Sequence, residues 1–75
     1  MDVATRIIEK FGGAYALAEK LGCRPSTVYR WTISKKRGGT GGHVPQRQHQ
    51  KLLKLARKHS ISLSYADFIP KDEAA

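Results

Sequence analysis

Between positions 24 and 30 stand five side chains able to make directed polar contacts with a partner: Arg24, Ser26, Thr27, Tyr29 and Arg30. At about 100° per residue, Ser26, Tyr29, Arg30 and Ile33 fall on one side of a helix. Val28 and Trp31, at i and i+3, fall on the other side and suit a core. A guanidinium, a phenol and a hydroxyl in one exposed row are groups for recognition by hydrogen bonding. An arginine donating a bidentate pair to a guanine edge, for example, contributes roughly 1–3 kcal/mol of discrimination between bases. Groups for bond making are absent from this pattern. His43, His49, His59 and Cys23 nowhere repeat at the i, i+3 or i, i+4 spacing of helical metal ligands, and a single cysteine makes a structural zinc site improbable. The segment Lys35-Lys36-Arg37-Gly38-Gly39 lacks the fixed spacing and the terminal Lys-Ser/Thr of a nucleotide-binding loop. No nucleophile elbow or dinucleotide fingerprint occurs. The expectation is a binding protein that is not an enzyme and needs neither cofactor nor metal.

The elements that must hold this row are marked by four other residues. Ala18 precedes Gly22 by four positions, Gly22 precedes Val28 by six, and Val28 precedes Trp31 by three. Two crossing helices need a small residue where they touch, which Ala18 provides. The turn between them needs a left-handed backbone, which Gly22 adopts without a Cβ clash. Residues 14–33 therefore read as a helix-turn-helix, with one helix over about 14–21 and a second over about 25–34. Leu17 and Leu21 are expected to be buried, and Cys23 to pack in the turn as a small apolar residue.

Over residues 12–34 the pattern resembles the helix-turn-helix of phage Cro and CI repressors and of the small single-domain bacterial regulators related to them. In that family the second helix enters the major groove of DNA with its N-terminal half toward the base edges, and the first crosses the backbone. Carried to this chain, the resemblance implies base contacts from Pro25, Ser26, Tyr29 and Arg30. It implies backbone contacts from Gly13, Ala14 and Tyr15 at the start of the first helix, and from Arg24 and Thr27. Pro25 departs from the family pattern, which commonly has a polar residue such as Gln at that position. Proline suits a first helical turn but offers a base only an apolar contact, for instance to a thymine methyl. Specificity then rests on Ser26, Tyr29 and Arg30.

Charge points the same way without any motif. The chain of 75 residues carries 14 Lys and Arg against six Asp and Glu, a formal net charge of +8. From Lys20 to Ala66 there is no acidic residue, and the stretch from Arg24 to Lys58 alone carries +10. Such a field attracts a polyanion and speeds encounter with it, but carries no sequence information. Residues 35–44 form a glycine-rich basic loop that breaks every periodicity and is expected to be mobile. Emerging beside the second helix, its Lys35, Lys36, Arg37, Gly38 and Gly39 are expected to meet phosphates, the cations by charge and the glycines through their N–H groups.

The remaining elements frame this unit. Val3, Ile7 and Phe11, with Ala4 and Ile8, predict a first amphipathic helix over residues 2–11, ended by Gly12 and Gly13. A fourth helix is expected from Pro45 to His59, with Leu52, Leu55 and Ala56 on one face, Leu53 and His59 at its edges, and a cationic stripe of Arg47, Lys51, Lys54 and Lys58 opposite. That stripe reads as a solvated face or a flank for phosphates. Ser64 and Asp67 mark a capping box around a short turn at 65–69, and Ile61, Leu63, Phe68 and Ile69 either close the core or pair two protomers. Residues 70–75 are expected to form a disordered tail.

The fold expected is thus one all-α domain of four to five helices, small enough to bury only about 60% of its unfolded surface. No segment reaches the ~20 apolar residues of a membrane span, and the N-terminus lacks a signal peptide's apolar centre. A cytoplasmic, nucleoid-associated protein follows as the expectation. The function expected is that of a sequence-specific regulator of transcription, most simply a repressor, binding double-stranded DNA as a homodimer on an inverted repeat. Two alternatives stand beside it: an antitoxin-type module with a protein partner that also binds DNA, and an architectural DNA binder of weak specificity.

Overall fold

A computed structural model describes residues 2–70. Among the described residues the protein is all-α, with four helices: α1 (Val3–Lys10), α2 (Ala14–Leu21), α3 (Pro25–Tyr29) and α4 (Gln46–Lys58). Three 3₁₀ turns punctuate them, at Arg30–Thr32, Lys35–Arg37 and Tyr65–Phe68, and no strand occurs among the described residues. The tail expected to be disordered lies, from residue 71 onward, outside the described residues.

Helix α1 begins where the Asp2 carboxylate accepts the Thr5 N–H at 2.7 Å, an N-cap that satisfies one of the unpaired donors of the first turn. Its apolar spacing buries Val3, Ala4, Ile7 and Ile8, and Phe11 follows them into the core. Helix α2 turns Ala14, Leu17 and Ala18 inward, with Leu21 half-buried. Gly22 then takes the left-handed conformation (φ 75°, ψ 31°), which lets the N–H groups of Gly22 and Cys23 return to the Glu19 and Ala18 carbonyls at 3.3 and 3.0 Å. Val28 and Trp31 both pack into the same core, Val28 with no exposed surface. Cys23 is half-buried against it.

The second helix of the pair is shorter than its periodicity implies. Instead of running to residue 34, α3 ends at Tyr29 and tightens into the 3₁₀ turn Arg30–Thr32, and Ile33 is extended (φ −88°, ψ 144°). The carbonyls of this turn find partners elsewhere. The Thr32 hydroxyl donates to Tyr29 O at 2.7 Å, while the N–H groups of Thr40, Gly41 and Gly42 donate to Arg30 O (3.1 Å), Ile33 O (2.9 Å) and Trp31 O (2.8 Å). The carbonyls beyond the end of the helix are thus satisfied by the chain that follows.

The glycine-rich segment is accordingly a folded strap. Besides those three bonds, the Thr40 hydroxyl donates to Trp31 O at 2.9 Å and touches the His43 carbonyl. Gly42 is buried and accepts the Ala4 N–H at 2.9 Å, which ties the strap to the first turn of α1. Val44 enters the core behind it. Helix α4 starts one residue later than Pro45 suggests: Pro45 keeps an extended ψ of 136° and serves as N-cap, accepting the Gln48 N–H at 2.9 Å. Leu52 and Ala56 are buried, Leu53 and Leu55 half-buried, and His59 is exposed at the C-cap.

The tail closes the core. Asp67 accepts the Ser64 N–H at 2.8 Å in the expected capping box, and Phe68 is buried against His49, their rings stacked with centroids 4.0 Å apart. His49 is oriented by a 3.0 Å contact from Nε2 to Val44 O. Lys10 holds the segment from the other side, donating to Ser62 O at 2.7 Å with Asp67 3.8 Å away. Ile61 and Leu63 are half-buried, whereas Ile69 remains about half exposed.

Candidate nucleic-acid interface

The fold separates the two sides of α3 as the sequence requires. With Val28 and Trp31 locked into the core, Ser26, Thr27, Tyr29 and Arg30 are all exposed, and Arg24 is exposed immediately before the helix. Pro25 is half-buried at the first helical position. Arg24 is extended (φ −81°, ψ 147°), and its carbonyl accepts the Thr27 N–H at 3.0 Å. It starts the helix through its backbone and leaves its guanidinium free. Ile33, expected on the same side, is exposed but lies beyond the helix.

Tyr15, at the second position of α2, reaches across to this row. Its ring meets that of Tyr29 edge to face, with centroids 6.4 Å apart and planes at 82°. Such pairs contribute about 0.5–1.5 kcal/mol beyond burial. The pair nevertheless stays open to solvent, with Tyr15 72% and Tyr29 48% exposed. The sequence assigned Tyr15 a backbone contact only; its side chain also braces a recognition residue. Two tyrosines fourteen positions apart carry no periodic signal, so only the folded turn brings them together.

At the start of α2, the three residues expected to face a phosphate differ in what they can offer. Ala14 is buried and has only its N–H to present. Gly13, at φ 110°, gives its N–H to Ile8 O at 3.0 Å and its carbonyl to the Leu17 N–H, so it positions the helix start. No side chain caps α2, and the first N–H groups of a helix have no intrahelical partner.

The 3₁₀ turn Lys35–Arg37 presents three exposed cations beside the C-terminal end of α3. Its glycines act differently from the sequence expectation. The Gly38 N–H donates to Lys35 O at 3.1 Å and the Gly39 N–H to Ser34 O at 3.0 Å, so both donors are engaged within the turn. Gly39 also lies so close to the chain before it that an added Cβ would sit 2.0 Å from Ile33 O and 2.6 Å from Arg30 O. These glycines fold the cationic turn against the end of α3. Thr40, which sequence reasoning passed over, locks the same turn; a hydroxyl directly after two glycines was the available sign.

Charge on this face is uncompensated. Among the described residues the ion pair is Lys10 with Asp67, away from α3, and Arg24, Arg30, Lys35, Lys36 and Arg37 have no carboxylate within ion-pair distance. Among the described residues no three His, Cys, Asp or Glu side chains are grouped to hold a metal, and no helix is long and apolar enough to cross a membrane. Compared with known proteins, the chain matches no family model, no curated protein and no solved structure.

Proposed function

We propose that the protein is a sequence-specific regulator of transcription that inserts α3 into the major groove of double-stranded DNA. The observation that carries this reading is the exposed row of Ser26 and Tyr29 on α3 and Arg30 at the start of the 3₁₀ turn that continues it, with Val28 of α3 and Trp31 of that turn fixed in the core on the opposite side. An α-helix, about 10–12 Å across with its side chains, fits a groove about 12 Å wide, and α3 lays about 7.5 Å of helix along it. Arg30 is the candidate for a guanine edge, Ser26 for either partner of a base pair, and Tyr29, steadied by Tyr15, for a thymine methyl or a polar edge. Pro25 adds an apolar contact.

Backbone contacts would come from Arg24, Thr27, the first N–H groups of α2 at Ala14 and Tyr15, and the cationic turn Lys35–Arg37. Gly13, Gly38 and Gly39 serve by shaping the backbone around them. The Cro- and CI-like resemblance of residues 12–34 is in keeping with this docking and with a homodimer on an inverted repeat in the bacterial cytoplasm, where repression follows from occupying the operator. One observation favours the weakly specific alternative: a stretch carrying +10 without an acidic residue binds any duplex.

Selection of bound duplexes from a random pool at near-physiological salt separates the readings. The regulator yields an enriched inverted repeat with half-sites about one helical turn, roughly 34–36 Å, apart. Binding without enrichment refutes base reading by α3.

A further inference from the structure

On the far flank of α2 lies a second charged surface that base reading does not use. Lys20 and Leu21, at the end of α2, face Lys51, Lys54 and Leu55 of α4 across an open groove of about 230 Å³. It is lined by two half-buried leucines and by the side chains of three lysines. None of the three lysines has a carboxylate within ion-pair distance among the described residues. Five residues along a helix turn by about 140°, so Lys20 points well away from Tyr15 and the face that α3 shares with it.

We propose that this groove docks an acidic, amphipathic segment of a partner protein, one or two apolar side chains lying on Leu21 and Leu55 while carboxylates meet Lys20, Lys51 and Lys54. Charge complementarity selects an anionic occupant. The leucine lining selects a peptide over a nucleic-acid backbone, since phosphate and sugar have no aliphatic side chain to bury there. No aromatic ring lines the groove to stack a base, and lysines are point charges that suit carboxylates of variable geometry. Arg47 and Lys58 share the cationic side of α4 and extend the same field beyond the groove. The inference does not rest on the DNA-reading proposal, because the groove and the α3 row occupy different flanks.

The test uses the full chain, ¹⁵N-labelled, titrated with a synthetic helical peptide bearing Leu and Phe one turn apart between glutamates. Two control peptides replace the glutamates by glutamine, or the Leu and Phe by serine. The expected result is amide shifts clustered at Lys20–Leu21 and Lys51–Leu55, with both controls and the variant Lys51→Glu/Lys54→Glu binding at least about tenfold weaker. Saturating duplex DNA should leave the peptide affinity unchanged. Shifts elsewhere, or equal binding of the glutamine control, overturn the proposal. Competition between duplex and peptide for the same amides also overturns it and assigns the lysines to a DNA flank. The control peptides on the unaltered chain decide the matter even if the double variant folds poorly.

Discussion

Replacing Gly39 by alanine should destabilise the protein through the backbone of the strap. The added Cβ would lie 2.0 Å from Ile33 O and 2.6 Å from Arg30 O, and neither acceptor belongs to a side chain that can swing aside. Relief requires the strap to lift by an ångström or more. The bonds then at risk are Gly39 N–H to Ser34 O, Thr40 N–H to Arg30 O, Gly41 N–H to Ile33 O and Gly42 N–H to Trp31 O, all between 2.8 and 3.1 Å. At about 0.5–1.5 kcal/mol each, losing most of the four amounts to roughly 2–4 kcal/mol. For a domain this small, that corresponds to about 10–25 °C in Tm. Gly38→Ala is the internal comparison. Gly38 has open space around its Cβ position but a φ of +89°, so alanine there meets only conformational strain, about 1–2 kcal/mol. Thermal unfolding followed by circular dichroism gives both values, and hydrogen exchange at Gly41 and Gly42 reports the strap directly. A Gly39→Ala protein melting within about 3 °C of the parent, or above Gly38→Ala, would refute the close-packed strap.

Three further outcomes are expected. Arg30→Ala should relax preference at one or two base pairs by about 1–3 kcal/mol, measured by competition between single-base operator variants; uniform loss over all sequences would contradict its place at a base edge. Removing the charges of Lys35, Lys36 and Arg37 together should weaken every duplex alike and flatten the slope of log K against log salt by about 2.7 if each meets one phosphate. Fluorescence anisotropy at several salt concentrations reads that slope, and an unaltered slope sets the turn off the DNA. Phe68→Ala removes a buried ring stacked on His49 and should cost about 3–5 kcal/mol, while Ile69→Ala, half exposed, should change stability by about 0.5 kcal/mol or less in denaturant unfolding. Equal effects at the two positions would show that Phe68 does not close the core.

The helix pair was legible in the chain because it depends on side-chain type at fixed spacing. Ala18, Gly22, Val28 and Trp31 each occupy the place that their size or backbone freedom demands, and the first helix and the Ser64–Asp67 box follow from periodicity and capping in the same way. The end of α3 was not legible. Val28 and Trp31 keep a helical i, i+3 spacing across the point where α3 ends, and beyond it the carbonyls of Arg30, Trp31 and Ile33 accept backbone donors from Thr40, Gly41 and Gly42. A backbone N–H has no residue type, and glycine runs read as loops whether they are folded or not. His49 was hidden for a related reason. Its partners, Val44 O and the Phe68 ring, come from two other segments. At the candidate interface, the exposed row was readable as a helical face, whereas the bracing of Tyr29 by Tyr15 required the turn to be formed.

The way the chain is tied together bears on the order in which it assembles. The α2–α3 unit is built from contacts among near neighbours, so the loops closed to form it are short and their entropy cost is low. The strap joins Gly42 to Ala4, and the tail joins Ser62 to Lys10, both across long stretches of sequence. Early structure should therefore be the turn around Gly22, with the strap and then the tail docking onto it. Local opening in the folded state would run in reverse, with the tail detaching first. Because Phe68 and Ser62 are held chiefly by α1 and α4, fraying of that end would leave the exposed row of α3 and its cationic turn assembled.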